Sequence, residues 1–352
     1  MWLLLGPRLR GDDETAATEA PAMKIIQFRE PGPPEVMQCI DVPVPALQDG
    51  EVLVRAHSIG VGIPDTLIRA GTYNWMPPLP ATPGTELSGV IERVGPGVTS
   101  RKAGQHVVAS ARERPHRGGH YAEYVATPAE ATFVLPDGVD LEAAAALANY
   151  QVGYHMLKDA AKVAKGESLL LYAAAGGMGN AVIDLARAWG LSVIGVVSSD
   201  DKARFARELG AAHVINRRTE AVAERVRALT AGRGVDYIID PVAGPTIAGN
   251  LGLLAPMGML VIYGGLGGRA HGDVLAEMRK HGTICPAIRT FSIHAWDHRP
   301  EERRAGMRAL IDMLAAGQLH PRIHARLKLE DARKAHAMLE GGEVLGKLLL
   351  QP

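Results

Sequence analysis

From Met23 onward the chain begins as short segments in which polar and apolar residues alternate. Glu51-Val52-Leu53-Val54-Arg55-Ala56 is one such segment, and a period of two predicts a strand with one buried face. Lys24–Phe28, Gly89–Val94, Gln105–Ala109 and Tyr121–Ala126 read the same way, separated by turns such as Gly95-Pro96-Gly97. Several short strands at close spacing predict a compact β-barrel or sandwich. After about Phe133 the pattern changes. Leu141–Leu157 is alanine-rich and helical, with interruptions expected around Asn149 and Gly153. Strands then alternate with helices: strands at Ser168–Ala173, Ser192–Val197, His213–Ile215, Val235–Asp240, Met259–Tyr263 and Thr283–Cys285, helices at Met178–Trp189, Lys202–Leu209, Glu220–Thr230 and Thr246–Leu254. Such alternation demands a parallel sheet with right-handed crossovers, so the fold class is α/β, doubly wound. A helix near Glu301–Ala316 and a last strand at Lys347–Leu350 return the chain to mixed structure. The simplest arrangement inserts an α/β domain, residues 146–286, into a β-rich domain of residues 23–145 and 287–352. Residues 1–22 read as a disordered extension, with Met23 a candidate start.

Composition narrows the function. Hydrophobic residues are 47% and charged residues 22% of 352, and 38 Lys plus Arg balance 38 Asp plus Glu. A net charge of zero lacks the basic excess of a nucleic-acid or membrane-surface protein, so neither partner is expected. Aromatic residues, at 5%, are too few for a platform that stacks bases. No apolar run nears the ~20 residues that span a bilayer, and Trp2-Leu3-Leu4-Leu5 stops at Gly6-Pro7-Arg8, short of a secretory signal. Cys39 and Cys285 are the two cysteines, too few for a Cys-rich zinc site and suited to a reducing cytoplasm, the expected location. Glycine stands out at 40 residues, clustered rather than periodic, which points to loops lined by backbone.

One of those clusters carries chemistry. Ala174-Ala175-Gly176-Gly177-Met178-Gly179 follows the strand Leu169-Leu170-Leu171-Tyr172 directly and opens the helix to Trp189. A dinucleotide fingerprint needs small residues here for a tight turn, for close approach of the pyrophosphate and for helix–strand packing. Ala174 stands at the first position, Gly176 and Gly179 at the second and third. The free N–H groups and positive dipole end of the helix would face the phosphates. An NAD site usually ends its second strand with Asp or Glu for the ribose 2′-hydroxyl, but this chain has Ser198-Ser199-Asp200-Asp201-Lys202. Small hydroxyl residues leave room for a 2′-phosphate, Lys202 supplies charge, and Arg217 and Arg218 lie just beyond the third strand. NADPH is therefore the expected cofactor. Asp200 or Asp201 is alternatively an N-cap for the following helix.

These segments, taken in order, resemble the medium-chain dehydrogenase/reductase superfamily, and within it the zinc-independent, zeta-crystallin-like quinone oxidoreductases. The similarity covers about Met23 to Pro352 and rests on Thr82-Pro83-Gly84-Thr85-Glu86-Leu87-Ser88-Gly89, Ala103-Gly104-Gln105-His106-Val107, Tyr121-Ala122-Glu123-Tyr124-Val125, the phosphate loop, Gly210-Ala211-Ala212-His213-Val214-Ile215-Asn216, Asp240-Pro241-Val242-Ala243-Gly244 and Gly346-Lys347-Leu348-Leu349-Leu350. The resemblance implies a GroES-like β-rich catalytic domain with an inserted Rossmann domain, the cofactor in the cleft between them, and a homodimer. It implies cofactor contacts at Asn149, Gly176, Gly177, Met178, Gly179, Ser199, Lys202, Val242, Gly264 and Gly265. Zinc alcohol dehydrogenases of the superfamily carry Gly-His-Glu where this chain has Gly84-Thr85-Glu86, so no metal is expected. His116/His120, His294/His298 and His320/His324 have ligand-like spacing but read as surface histidines. Arg217 stands where the family often has Tyr, and Val152 where it often has Thr. Near the substrate the family shows an Asp-Thr-Tyr run and a second Tyr; here Asp65-Thr66-Leu67 lacks the first tyrosine and Tyr73 remains. Tyr73 is thus a candidate catalytic donor or an ordinary packed tyrosine. The expected activity is metal-free hydride transfer from NADPH to a quinone. The alternatives are reduction of an α,β-unsaturated carbonyl and a non-catalytic NADPH-binding role.

Overall fold

The computed structural model describes residues 22–270 and 272–352. The extension expected over residues 1–22 lies outside them except for Ala22, which opens the first strand. In chain order the elements are β1 (Ala22–Gln27), β2 (Gln38–Pro43), β3 (Glu51–Val61), α1 (Ile63–Arg69), β4 (Glu86–Val94), β5 (His106–Ser110), β6 (Tyr124–Pro128), β7 (Thr132–Val134), α2 (Leu141–Ala144), α3 (Leu147–Tyr154), β8 (Ser168–Tyr172), α4 (Gly177–Trp189), β9 (Ser192–Val197), α5 (Asp200–Glu208), β10 (His213–Asn216), α6 (Val222–Leu229), β11 (Val235–Asp240), α7 (Thr246–Leu251), β12 (Leu254–Ile262), α8 (Val274–Lys280), β13 (Ala287–Thr290), α9 (Pro300–Ala315), β14 (Ile323–Lys328), α10 (Ala332–Glu340) and β15 (Lys347–Gln351).

The β-rich part is a seven-stranded sheet in which β14, β15, β3, β4, β5 and β7 follow one another. The long β3 serves two partners on its other edge: Glu51–Arg55 pair with β6 and Ile59–Val61 with β15. Val52, Leu53, Val54 and Ile59 of this strand are buried with Leu87, Ile91 and Val107 of its neighbours. The middle of the chain forms a six-stranded parallel sheet in the order β10-β9-β8-β11-β12-β13. Leu169, Leu170 and Leu171 of β8 are all fully buried, as expected of a parallel strand covered by helices on both faces. The helix after it, α4, turns Ala181, Val182, Ile183, Leu185 and Ala186 inward and ends on Gly190 at φ 72°, the left-handed position that glycine enters without a Cβ penalty.

The order reverses between β8 and β11. The chain leaves β8 toward β9 and β10 on one side and returns on the other side of β8 for β11 to β13, and ligands of such sheets bind at this reversal, outside the carboxyl ends of the strands.

Several elements differ from the sequence expectation, among them β2, α1, β7 and β14, for which the pattern gave no signal. The alanine-rich helix breaks at Ala145–Ala146 rather than at Asn149 and Gly153, and continues past Tyr154 as a π-helical turn, His155–Ala161. Thr283–Cys285 is not the sixth strand; Gly282–Ile284 form a 3-10 turn and Cys285 adopts φ 48°. Pro286 has no N–H to give a ladder, so pairing starts at Ala287, which the sequence places in the β-rich part and the structure pairs with Met259 of β12. The helix α10 has no counterpart in the sequence reading; it buries Ala332, Ala335 and His336 against the β-rich core.

Candidate active site

The phosphate loop lies where the strand order reverses. Gly176 caps α4 in extended conformation, and the N–H groups of the first turn have no preceding helical carbonyl to bind. A Cβ on Gly179 would overlap the carbonyl of Ala174, and one on Gly177 would overlap Asn149 Nδ2 of α3. At Gly176 a Cβ would meet only Ala173 O, at 3.6 Å, so this glycine leaves its outer face open for an approaching group. Met178 is half-buried against the core behind the loop. A pyrophosphate fits this cradle: a helix of 13 residues opens at it, and Gly176 leaves the space before its first turn free.

At the end of β9, Ser199 rather than either aspartate caps α5, its Oγ accepting from Lys202 N–H at 3.3 Å. Asp200 is used otherwise, accepting from Asn216 Nδ2 at 2.8 Å. Lys202 Nζ lies 3.4 Å from Ser198 Oγ. The exposed Arg217 is hydrogen-bonded through its backbone N–H to Val197 O at 2.9 Å, so it starts beside the same strand end. Beyond β11 and β12 two loops pack on each other: Gly267 N–H donates to Val242 O at 2.7 Å and Leu266 N–H to Pro241 O at 3.1 Å. A Cβ on Gly264 would lie 2.6 Å from Pro241 O, while Gly265 faces open space. Buried Asp240 fixes this edge by accepting from Val242 N–H, Ala243 N–H, Thr246 Oγ1 and Asn250 Nδ2 at 2.7–3.1 Å. Asn149, the phosphate loop, Ser198, Ser199, Lys202, Arg217, Val242, Gly264 and Gly265 thus flank the carboxyl edge of one sheet.

Tyr73 follows α1 and is half-buried. Its Oη lies 2.9 Å from Nε2 of His294, a residue on the turn after β13. Burial raises the phenol above its ordinary 10.0, the nearby Arg112 and Arg117 guanidiniums pull it down, and Asp65 and Asp297 push it up. Arg112 also bonds α3, through Ala148 O at 3.2 Å and Gln151 Oε1 at 3.1 Å. Arg112 therefore ties the segment after β5 to the helix that carries Asn149.

A family model described as the alcohol dehydrogenase GroES-like domain matches residues 48–137, and one described as zinc-binding dehydrogenase matches residues 177–299. Quinone oxidoreductase of Homo sapiens is 31% identical over 337 residues, 95% of this chain and 99% of that protein. A 2-haloacrylate reductase of a Burkholderia species is 33% identical over 330 residues, 91% of this chain and 96% of its own length. Among solved structures, quinone oxidoreductase of Pseudomonas syringae superposes with a TM-score of 0.84 at 33% identity, covering 94% of this chain and 100% of that one. Escherichia coli quinone oxidoreductase, solved in complex with NADPH, has a TM-score of 0.82 at 30% identity over 94% of this chain and 100% of that one. The chain is a medium-chain dehydrogenase/reductase of the quinone oxidoreductase subgroup.

In this reductase Glu86, two positions after Gly84, is held in a buried charge pair. Glu86 Oε1 accepts from Lys347 Nζ at 2.5 Å and Oε2 from Ala148 N–H at 2.7 Å, both side chains being buried. Asp65 accepts from Gly62 N–H at 2.8 Å and Gly84 N–H at 3.2 Å, and burial pushes its carboxyl up to about 7 despite Lys347 nearby. Among the described residues no three His, Cys, Asp or Glu side chains group to hold a metal ion. Leu67, in place of the first tyrosine, is exposed. The reading of the paired histidines as surface residues fails at two of them. His120 is fully buried, with both ring nitrogens unpartnered, and burial pushes it down to about 3. His294 is mostly enclosed and hydrogen-bonded at both nitrogens. Spacing alone carried no signal for either, because exposed His320 and His324 share it.

Proposed function

We propose that this reductase transfers hydride from NADPH to a quinone without a metal, in the cytoplasm, and as a homodimer. The observation that carries the cofactor choice is the end of β9: Ser198 and Ser199 stand there, Lys202 is within 3.4 Å of Ser198 Oγ, and Ser199 is committed to capping α5. A carboxylate there would repel a 2′-phosphate, whereas two hydroxyls and an ammonium accept one. NADPH would lie with its pyrophosphate at Gly176–Gly179, its 2′-phosphate near Ser198, Ser199, Lys202 and Arg217, and its nicotinamide between Asn149, Val242, Gly264 and Gly265. When bound, the cofactor supplies the hydride. This chain's residues align the acceptor, exclude water and stabilise the oxyanion that forms. Tyr73 Oη is the candidate donor to that oxyanion. Metal-free chemistry is supported by Thr85, whose hydroxyl is not among zinc's usual Cys, His or carboxylate ligands, and by Glu86, whose two oxygens are taken by Lys347 and Ala148.

The second reading is reduction of an activated alkene, favoured by the similarity to a 2-haloacrylate reductase. Oxidation of NADPH and NADH measured against a panel of quinones and enones, with and without chelator, tests both. A higher kcat/KM for quinones with NADPH, unchanged by chelator, is expected; a preference for enones selects the second reading, and chelator-sensitive alcohol oxidation rejects both. For the dimer, the edge strand β13 and exposed Met257, Leu266 and Leu275 supply a candidate face. A monomer in sedimentation at micromolar concentration would reject it.

A further inference from the structure

The Tyr73 phenol is one end of a chain of polar groups. His294 Nε2 lies 2.9 Å from Tyr73 Oη, and Nδ1 of the same ring lies 3.0 Å from Asp297 Oδ2. Trp75 stacks on the imidazole with ring centroids 3.5 Å apart and planes 9° from parallel. Asp297 is itself held from two sides, by Arg117 Nη2 at 2.9 Å and Arg303 Nη1 at 2.6 Å. Arg303 continues to both carboxylate oxygens of Glu113, at 2.8 and 2.9 Å, in a pair that is almost fully buried. Groups from the segment after α1, the segment after β5, the turn after β13 and helix α9 therefore fix one imidazole. A histidine that only fills space does not need a carboxylate on one nitrogen and a phenol on the other.

The tautomer follows from the partners. With Nδ1–H donating to Asp297, a neutral His294 accepts the Tyr73 proton at Nε2. A protonated His294 donates from Nε2 to Tyr73 Oη, and the phenolic proton is then directed into the cleft. We propose that His294, oriented by Asp297, is the positioning and proton-relay residue that recharges Tyr73 when the reduced acceptor is protonated. The proposal rests on the quinone-reductase reading above. In the step, the quinone has taken up hydride and become a hydroquinone monoanion. The Tyr73 O–H bond breaks as an O–H bond forms on the hydroquinone. The phenolate oxygen takes the Nε2 proton, His294 becomes neutral with its Nδ1–H still on Asp297, and water returns one proton to Nε2. The sum is quinone, NADPH and one proton giving hydroquinone and NADP⁺.

The groups facing His294 are Tyr73 and Trp75 from the segment after α1, Arg112 and Arg117 from the segment after β5, and Asp297 from its own turn. Burial pushes the imidazole below its ordinary 6.5, Asp297 pulls it up, and Arg117 and Arg112 push it down again. The donor-ready cation therefore grows as pH falls below 6.5.

The test measures kcat against pH at saturating NADPH and quinone for wild type, His294→Gln and Asp297→Asn, with an NMR titration of the histidine rings in the cofactor-free protein. In wild type, kcat is expected to rise toward acid. His294→Gln loses that rise and about ten-fold or more in kcat, with KM for NADPH unchanged. Asp297→Asn keeps the rise but moves it to lower pH, and Tyr73→Phe shifts the His294 titration without cofactor. A His294→Gln enzyme with the wild-type profile and kcat overturns the relay. Wild-type protein that reduces no quinone overturns the functional reading instead; the NMR titration then decides the relay, which a His294 resonance unmoved by Tyr73→Phe also overturns.

Discussion

Lys202 Nζ donates to the carbonyl oxygen of Gly342 at 2.7 Å, joining residues 140 apart in sequence. The contact ties α5 to the loop before β15 at the edge where a 2′-phosphate would lie. Among the described residues Lys202 has no carboxylate within ion-pair distance, so its charge is available to an anionic ligand. Lys202→Ala is expected to weaken NADPH binding about 10–150-fold, from the ~1.5–3 kcal/mol of a charge-assisted hydrogen bond, and to leave NADH binding nearly unchanged. Fluorescence titration with each cofactor checks this. Equal weakening of both would mean that Lys202 acts by holding the Gly342 loop and not by reading the phosphate.

The phosphate-loop glycines separate folding from binding. Alanine at Gly179 would drive its Cβ into the Ala174 carbonyl and within 2.7 Å of Ala173 O, and is expected to cost about 1–3 kcal/mol of stability. Alanine at Gly176 meets only an ordinary contact at 3.6 Å and keeps its extended backbone. Gly176→Ala should therefore match wild type in urea unfolding and still bind NADPH more weakly, because its Cβ enters the space of the pyrophosphate. Normal NADPH affinity in that variant would move the phosphate site elsewhere.

The Glu86–Lys347 pair is buried on both sides, at 2% and 4% side-chain exposure. Solvent cannot compensate either charge there, so Lys347→Met is expected to lose about 3–5 kcal/mol. The double variant Glu86→Gln/Lys347→Met should recover part of that loss, because no bare carboxylate remains. Urea denaturation of both variants gives the comparison, and equal stability of the two would show that Glu86 is compensated by other groups.

Acid stability is set by groups that pull in opposite directions. Burial and the neighbouring Arg69 guanidinium push His336 down to about 3, and burial pushes His120 to about the same value. Between pH 6.5 and 3 the unfolded chain binds protons that the folded one refuses, so both histidines make stability fall as pH falls through that window. Asp65, pushed up to about 7, acts with the opposite sign. From pH 3.8 to 7 its folded form holds a proton that the unfolded form releases, so its contribution is full in acid and is lost as pH rises. His336→Gln is expected to flatten the acid decline in ΔG of unfolding, and Asp65→Asn to steepen it. Unfolding free energies measured across pH 4–7 give the slopes; a His336→Gln slope equal to wild type would show that His336 ionises in the folded protein.

Much of the molecule is legible in its amino-acid sequence. Leu169–Tyr172, Ser192–Val197 and Val235–Asp240 read as strands because short apolar runs bounded by turn residues leave few other choices. The Gly176–Gly179 cluster read as an anion cradle because a glycine-rich turn between strand and helix exposes backbone N–H groups whatever surrounds it. The expected strand at Thr283–Cys285 failed for an equally local reason, since Pro286 cannot donate to a ladder and delays pairing to Ala287.

The proton path was not legible, because nothing in the order of residues brings Tyr73 to His294 across 221 positions, nor Arg303 to Glu113 across 190. The sequence by itself determined most strands and helices of the parallel sheet and the glycine-rich turn at its edge, which follow from near-neighbour patterning and backbone chemistry. Only the tertiary structure decided which titratable side chains meet, which histidines lose water and which carboxylates find a cation. Those outcomes depend on how segments remote in sequence pack, and neither spacing nor composition encodes that packing.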